Sequence, residues 1–256
     1  MIAGLMNAIA YFFSAKIVLW SYHVKVVGEA EAPRLFKIVR KVAEMDNLPM
    51  PQIAIIPTDT PNAFATGRNP KHATVAATEG ILKLLSDDEM TGVIAHEMSH
   101  VKDRDILVMS VAATLAGAIS FASRMFVWGT LFGGGGNRNN NNLIIVLLVA
   151  ITAPIAALLL QLAVSRSREY KADYEGAILT GKPLWLAAAL QKLEIQNKAR
   201  PMRRGNPATS SLFIVNPFRG GALTTLFSTH PPTQQRIARL EAMASDFTGV
   251  GERIRR

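Results

Sequence analysis

The chain has 256 residues, with 28 Lys and Arg against 19 Asp and Glu and a net charge of +9. It has no cysteine, which excludes disulfides, thiol nucleophiles and cysteine-bound zinc, and leaves His, Asp and Glu as the donors for any metal. Hydrophobic residues make up 49% and concentrate in two long apolar runs, so the basic balance reads as a face held against anionic lipid, with no nucleic-acid partner.

Residues 1–20 begin apolar, and the first charge is Lys16. That is short for a crossing, which takes about twenty residues, and it lacks the basic start and cleavage site of a signal peptide. It reads as a membrane-associated segment at the interface, or the end of a longer span, with Lys16, Trp20, Tyr22 and His23 as an interfacial belt. Residues 32–47 form an amphipathic pattern. Leu35, Ile38, Val39, Val42 and Met45 lie on one face and Arg34, Lys37, Arg40, Lys41 and Glu44 on the other, with Pro33 in the first turn. Strands are expected at 52–56, 62–66 and 73–77, and a short helix over 79–85. Either of the last two strands, if it lies at a sheet edge, offers backbone groups to an extended peptide.

Ser86 followed by Glu89 is a capping box, and Asp87 and Asp88 suit the positive end of a helix. On that helix lies His96-Glu97-Met98-Ser99-His100, an H-E-x-x-H motif. Residues four apart share a helical face, so both imidazoles can reach one metal ion. Glu97 beside them suits a general base for water at that metal. Catalytic zinc takes a third protein ligand. Asp103 and Ile106 stand where a metzincin would place its glycine and third histidine, so the ligand must come from elsewhere.

Residues 106–123 and 143–164 carry no charge and are long enough to cross a bilayer. The intervening loop, Gly133 to Asn142, is flexible in composition and holds one basic residue, Arg138, while the rest of the chain holds the other 27. The two runs therefore read as a transmembrane hairpin with its loop outside and the bulk of the chain in the cytoplasm. A hairpin returns the chain to the side it left, bringing Ser165 to Asp173 back towards the H-E-x-x-H helix. Glu169 and Asp173 lie on one helical face. One can ligate the metal, with Glu169 the favoured ligand, while the other hydrogen-bonds a ligand histidine. Further on, a helix is expected from Lys182-Pro183 to Lys198, a long Pro- and Gly-rich loop over 200–220, and a last helix over 233–244. Phe213, Ile214, Val215 and Phe218 in the loop read first as packing residues, with contact to substrate or membrane as the alternative. His230, before Pro231 and Pro232, has either a local capping role or a place at the site.

Taken together, His96-Glu97-x-x-His100, the hairpin, Arg168-Glu169-x-x-Ala172-Asp173 and Thr229-His230-Pro231-Pro232 with Arg236-Ile237 resemble the HtpX membrane metalloproteases, relatives of the CAAX prenyl proteases. The resemblance covers nearly the whole chain, except that HtpX proteins usually begin with a fuller hydrophobic region. It implies one Zn2+ per chain held by His96, His100 and Glu169, support from Asp173, and His230 near the substrate carbonyl. It also implies an endopeptidase of the bacterial inner membrane, facing the cytoplasm and removing misfolded membrane proteins. The expected fold is mainly α with a small β-sheet, a zincin-like catalytic domain with an inserted transmembrane hairpin. The divisions are 1–20 (membrane-associated), 21–105 (catalytic, first part), 106–164 (hairpin) and 165–256 (catalytic, second part). A CAAX-type prenyl-protein protease and a non-catalytic metal-binding scaffold are the alternatives.

Overall fold

A computed structural model describes residues 24–132, 140–199, 214–215 and 230–254. The expectations for 1–20, for the hairpin loop and for most of 200–229 lie outside the described residues. The chain enters at β1 (Lys25–Val26) and forms α1 (Pro33–Met45), β2 (Gln52–Ile56), β3 (Ala63–Gly67) and β4 (Ala73–Thr78). It continues through α2 (Glu79–Leu84), α3 (Asp87–Lys102), α4 (Asp105–Phe132), α5 (Asn140–Thr180), α6 (Pro183–Ala199) and α7 (Thr233–Ile254). The mainly helical architecture with a small sheet is as expected. The last helix runs ten residues past the expected end at Ala244, there being no proline to stop it.

The sheet order is β1-β2-β4-β3, with β2 and β4 parallel and the other pairs antiparallel. This corrects one expectation. Ala73–Thr78 is an interior strand, buried along its whole length, and cannot accept a peptide. β3 is the edge. A parallel crossover between β2 and β4 leaves the intervening strand to pair on the far side of β4, an ordering that periodicity within single strands does not reveal.

α3 starts on the Ser86–Glu89 capping box, with both reciprocal bonds present. It runs through the middle of the catalytic part, so its residues 90–99 are all buried. It packs on β3, α1, α5 and α6. Two glycines permit this crowding. A Cβ on Gly92 would meet the Leu186 backbone nitrogen at 2.7 Å, and one on Gly176 would meet the His96 nitrogen at 3.0 Å. α6 and α5 thus approach α3 almost backbone to backbone, and the second contact brings α5 directly against the motif. One hydrophobic core unites residues from both sides of the hairpin, from Leu35, Ile53 and Ile94 to Leu190 and Leu240.

α4 and the first part of α5 pair along their length, with the Ser123 hydroxyl donating to the Val149 carbonyl. Both are long and apolar enough to cross a membrane, and only 11% of each apolar window is buried. A core helix of a soluble protein would be mostly covered. Here Phe121, Trp128 and Ile144 are more than 60% exposed, as lipid-facing residues are. α5 continues without a break from this apolar stretch into the catalytic part and carries Pro154 inside it.

Candidate metal centre

His96, on α3, is buried among α5 and α7, while His100 lies in the last full turn of α3 with 19% of its side chain exposed. The two Nε2 atoms are 3.2 Å apart. Glu169, on α5, places Oε2 3.7 Å from His96 Nε2 and Oε1 3.7 Å from His100 Nε2. These are the three residues the sequence singled out as ligands, and the structure brings them together. Ligands about 2.0–2.1 Å from a tetrahedral ion stand about 3.3 Å from one another, so the donor triangle is the size that a zinc ion requires. Glu169 Oε2 is buried and has no aligned hydrogen-bond partner, which a metal bond would satisfy. The residues present therefore fit the group.

The electrostatics point the same way. Burial opposes charge on the His100 imidazole, but its hydrogen bond to Asp105 and the neighbouring Glu169 and Glu97 carboxylates outweigh it and raise the group to about 9. Such a pocket draws positive charge into a buried place.

Glu97 is buried and its Oε2 accepts the backbone N–H of Ala65, 3.0 Å away. That N–H therefore points off the side of β3 away from β4, which no strand covers among the described residues, so the glutamate and that edge share one cleft. His230 places Nδ1 3.1 Å from Glu169 Oε2. Asp173 Oδ1 lies 3.0 Å from His96 Nδ1, close enough to fix the ring but off the line of an aligned hydrogen bond.

Two contacts escaped the sequence reading. Arg236, on α7, is fully buried and donates from Nε and Nη2 to the two oxygens of Asp173 (2.8 and 2.7 Å) and from Nη1 to the Ile214 carbonyl (3.0 Å). It also stands 3.5 Å from Glu169 Oε2. Burial opposes its charge, but Asp173, Glu169 and Glu97 more than compensate and hold the guanidinium firmly ionised. Ile214 and Val215 are pinned beside it, Ile214 N–H donating to the Asn62 side chain and Val215 accepting from Asn197. They are packing residues, as read. The second contact is Asp105, whose Oδ2 lies 2.6 Å from His100 Nδ1. On an unbroken helix a residue five on points about 140° away. Arg104, in the left-handed region at φ 55, breaks the helix and turns Asp105 back. Arg236 entered the sequence reading only as part of the resemblance, with no partner assigned to it, and the second contact had no sequence signal.

This fold and cluster define a membrane-associated metallopeptidase built on an H-E-x-x-H helix. The sequence profile of Peptidase family M48 matches residues 29–244. The chain is 51% identical over 251 residues to a "Protease HtpX homolog" of Thermococcus sibiricus, covering 96% of this chain and 86% of that one. It is 56% identical over 244 residues to the protein of the same description from Thermodesulfovibrio yellowstonii, covering 94% and 86%. The crystal structure of S. mikatae Ste24p superposes with a TM-score of 0.61 at 19% identity, over 92% of this chain and 56% of that one, a likeness of fold. The chain belongs to peptidase family M48, among its HtpX proteases.

Proposed function

We propose that this chain is a zinc-dependent endopeptidase that cuts exposed, unfolded segments of membrane proteins on the cytoplasmic side of the inner membrane. The observation that carries the reading is the donor triangle of His96, His100 and Glu169, with Glu97 beside it on the open edge of β3. A peptide added to that edge is held by backbone hydrogen bonds with little demand on its sequence, which suits substrates recognised by being unfolded. A bound zinc ion supplies Lewis acidity, polarising the scissile carbonyl and acidifying water. Glu97 takes the proton as water attacks and delivers it to the leaving nitrogen. His230 donates a hydrogen bond to the carbonyl oxygen as that atom gains charge. Asp173 and Arg236 hold His96 and Glu169 in place.

The cytoplasmic orientation is supported by the single basic residue of the loop against 27 elsewhere. A membrane-protein substrate is supported by the direct passage of both membrane helices into the site. The experiment is cleavage of an unfolded protein by the detergent-solubilised chain, stripped of metal and reloaded with zinc, beside Glu97→Gln. Zinc-dependent cleavage absent from the variant is expected. Equal cleavage by the variant would remove Glu97 as base, and tight zinc binding with no cleavage by either form would favour the scaffold. Cleavage confined to prenylated peptides would favour a prenyl-protein protease.

A further inference from the structure

We propose that Asp105 and Arg168 are positioning residues for the peptidase reaction, Asp105 holding the His100 ring with Nε2 towards the metal and Arg168 holding Asp105. The inference rests on the reading of His100 as a metal ligand.

The two histidines of the motif are secured differently. His96 is 1% exposed, with the α5 backbone at Gly176 against its own and Asp173 and Arg236 around its ring. Close packing together with Asp173 restricts it. His100 is 19% exposed and stands two residues from the end of α3, which stops at Lys102. An imidazole there has room to turn. The His96 ring meets it edge-on, with centroids 4.7 Å apart, and its one short polar contact to a carboxylate is Nδ1 to Asp105 Oδ2 at 2.6 Å. A carboxylate at that nitrogen keeps the proton on Nδ1 and leaves the Nε2 lone pair for the metal.

Asp105 is itself held. It is buried, and its other oxygen, Oδ1, accepts from Arg168 Nε. The same guanidinium donates from Nη2 to Asp103, which also pairs with Lys171. Arg168 thus bridges Asp103 and Asp105 across the Arg104 turn and fixes the shape of that turn. A planar fork with several donors can span two carboxylates, whereas a lysine is a point charge. Asp105 is the first residue of α4, and Arg168 lies on α5 only four residues beyond the apolar run that ends at Val164. The orientation of His100 is therefore set where the two membrane helices meet the catalytic part.

A bland explanation is available: Asp105 begins a helix, where acidic residues are favoured, and Arg168 merely pairs with it. The two explanations part on zinc. The test measures zinc affinity of the full chain in detergent, by competition with a chromophoric chelator, and the thermal midpoint of the metal-free protein. Asp105→Ala is expected to lose about 10- to 100-fold in zinc affinity. Asp105→Asn, which keeps an acceptor for His100, should lose less. Arg168→Gln should weaken zinc binding alone yet add nothing in the Asp105→Ala background, because Arg168 acts through Asp105. Arg168→Lys should not restore it fully. Zinc affinity within twofold of the parent in Asp105→Ala, with only the midpoint lowered, would overturn the proposal, as would an Arg168→Gln loss that adds to that of Asp105→Ala. His100→Ala is the control: if it keeps parental zinc affinity, the ligand reading itself fails; if it loses zinc while Asp105→Ala does not, only the positioning role fails.

Discussion

Arg236 offers the sharpest test of the energetics around the site. Its guanidinium is 1% exposed, carries two hydrogen bonds to Asp173 and one to the Ile214 carbonyl, and faces Glu169 at 3.5 Å. Arg236→Met keeps much of the volume and removes the charge. Two buried carboxylates then lose their compensating cation, and breaking a buried pair in this way costs about 3–5 kcal/mol. At about 2–4 °C per kcal/mol for a protein of this size, the metal-free midpoint should fall by about 6–20 °C. Asp173→Asn alone should also destabilise, by stranding the arginine. The double variant should be less damaged than the sum, with a coupling of about 2–3 kcal/mol. The assay is thermal unfolding in detergent followed by tryptophan fluorescence, where Trp185 under Lys41 reports on the contact between α1 and α6. A metal-free midpoint for Arg236→Met within about 3 °C of the parent, or additive losses in the double variant, would refute the view that the guanidinium compensates these carboxylates.

Other outcomes follow from the site. Glu169→Ala should lose both zinc and cleavage, measured by metal content after gel filtration; full zinc occupancy would remove Glu169 from the ligand set. His230→Ala should retain zinc and lose turnover by about 100-fold, the scale of a single oxyanion donor, so unchanged turnover in a peptide assay would return His230 to a structural role. The chain has no cysteine, so single cysteines placed at 135 and 182 report topology without background. An impermeant maleimide applied to whole cells should label position 135 and spare 182, and the reverse pattern would invert the orientation.

Much of the site was legible in the sequence because its parts are local. The capping box, the four-residue spacing of His96 and His100, and the apolar lengths of the hairpin each depend on neighbours in the chain. Glu169 could be reached because a hairpin must return to its starting side. The strand order was not legible, since β3 and β4 are both short runs of small and apolar residues with no alternation to mark which lies at the edge. Nor was the carboxylate behind His100, whose approach depends on one left-handed residue, Arg104, of a type that rarely adopts that conformation. Arg236 meets Asp173 across 63 positions of chain, and long-range contacts of that kind leave no periodic trace.

The unbroken course of α5 also sets a height. Glu169 stands five residues past Val164 on the same helix, which at 1.5 Å per residue is about 8 Å. The headgroup layer is about 5–7 Å deep on each side, so the cleft opens near its outer boundary. An extended chain gains about 3.3 Å per residue, so a target anchored in the same bilayer needs roughly three residues clear of its own span before a bond can reach Glu97. On the proposed function, bonds inside the lipid would stay out of range, and a folded domain seated tightly on the surface would not feed the β3 edge. The helix would then act as a ruler: on the proposed function, a chain that has come loose just above the membrane would be presented at the level of the cleft.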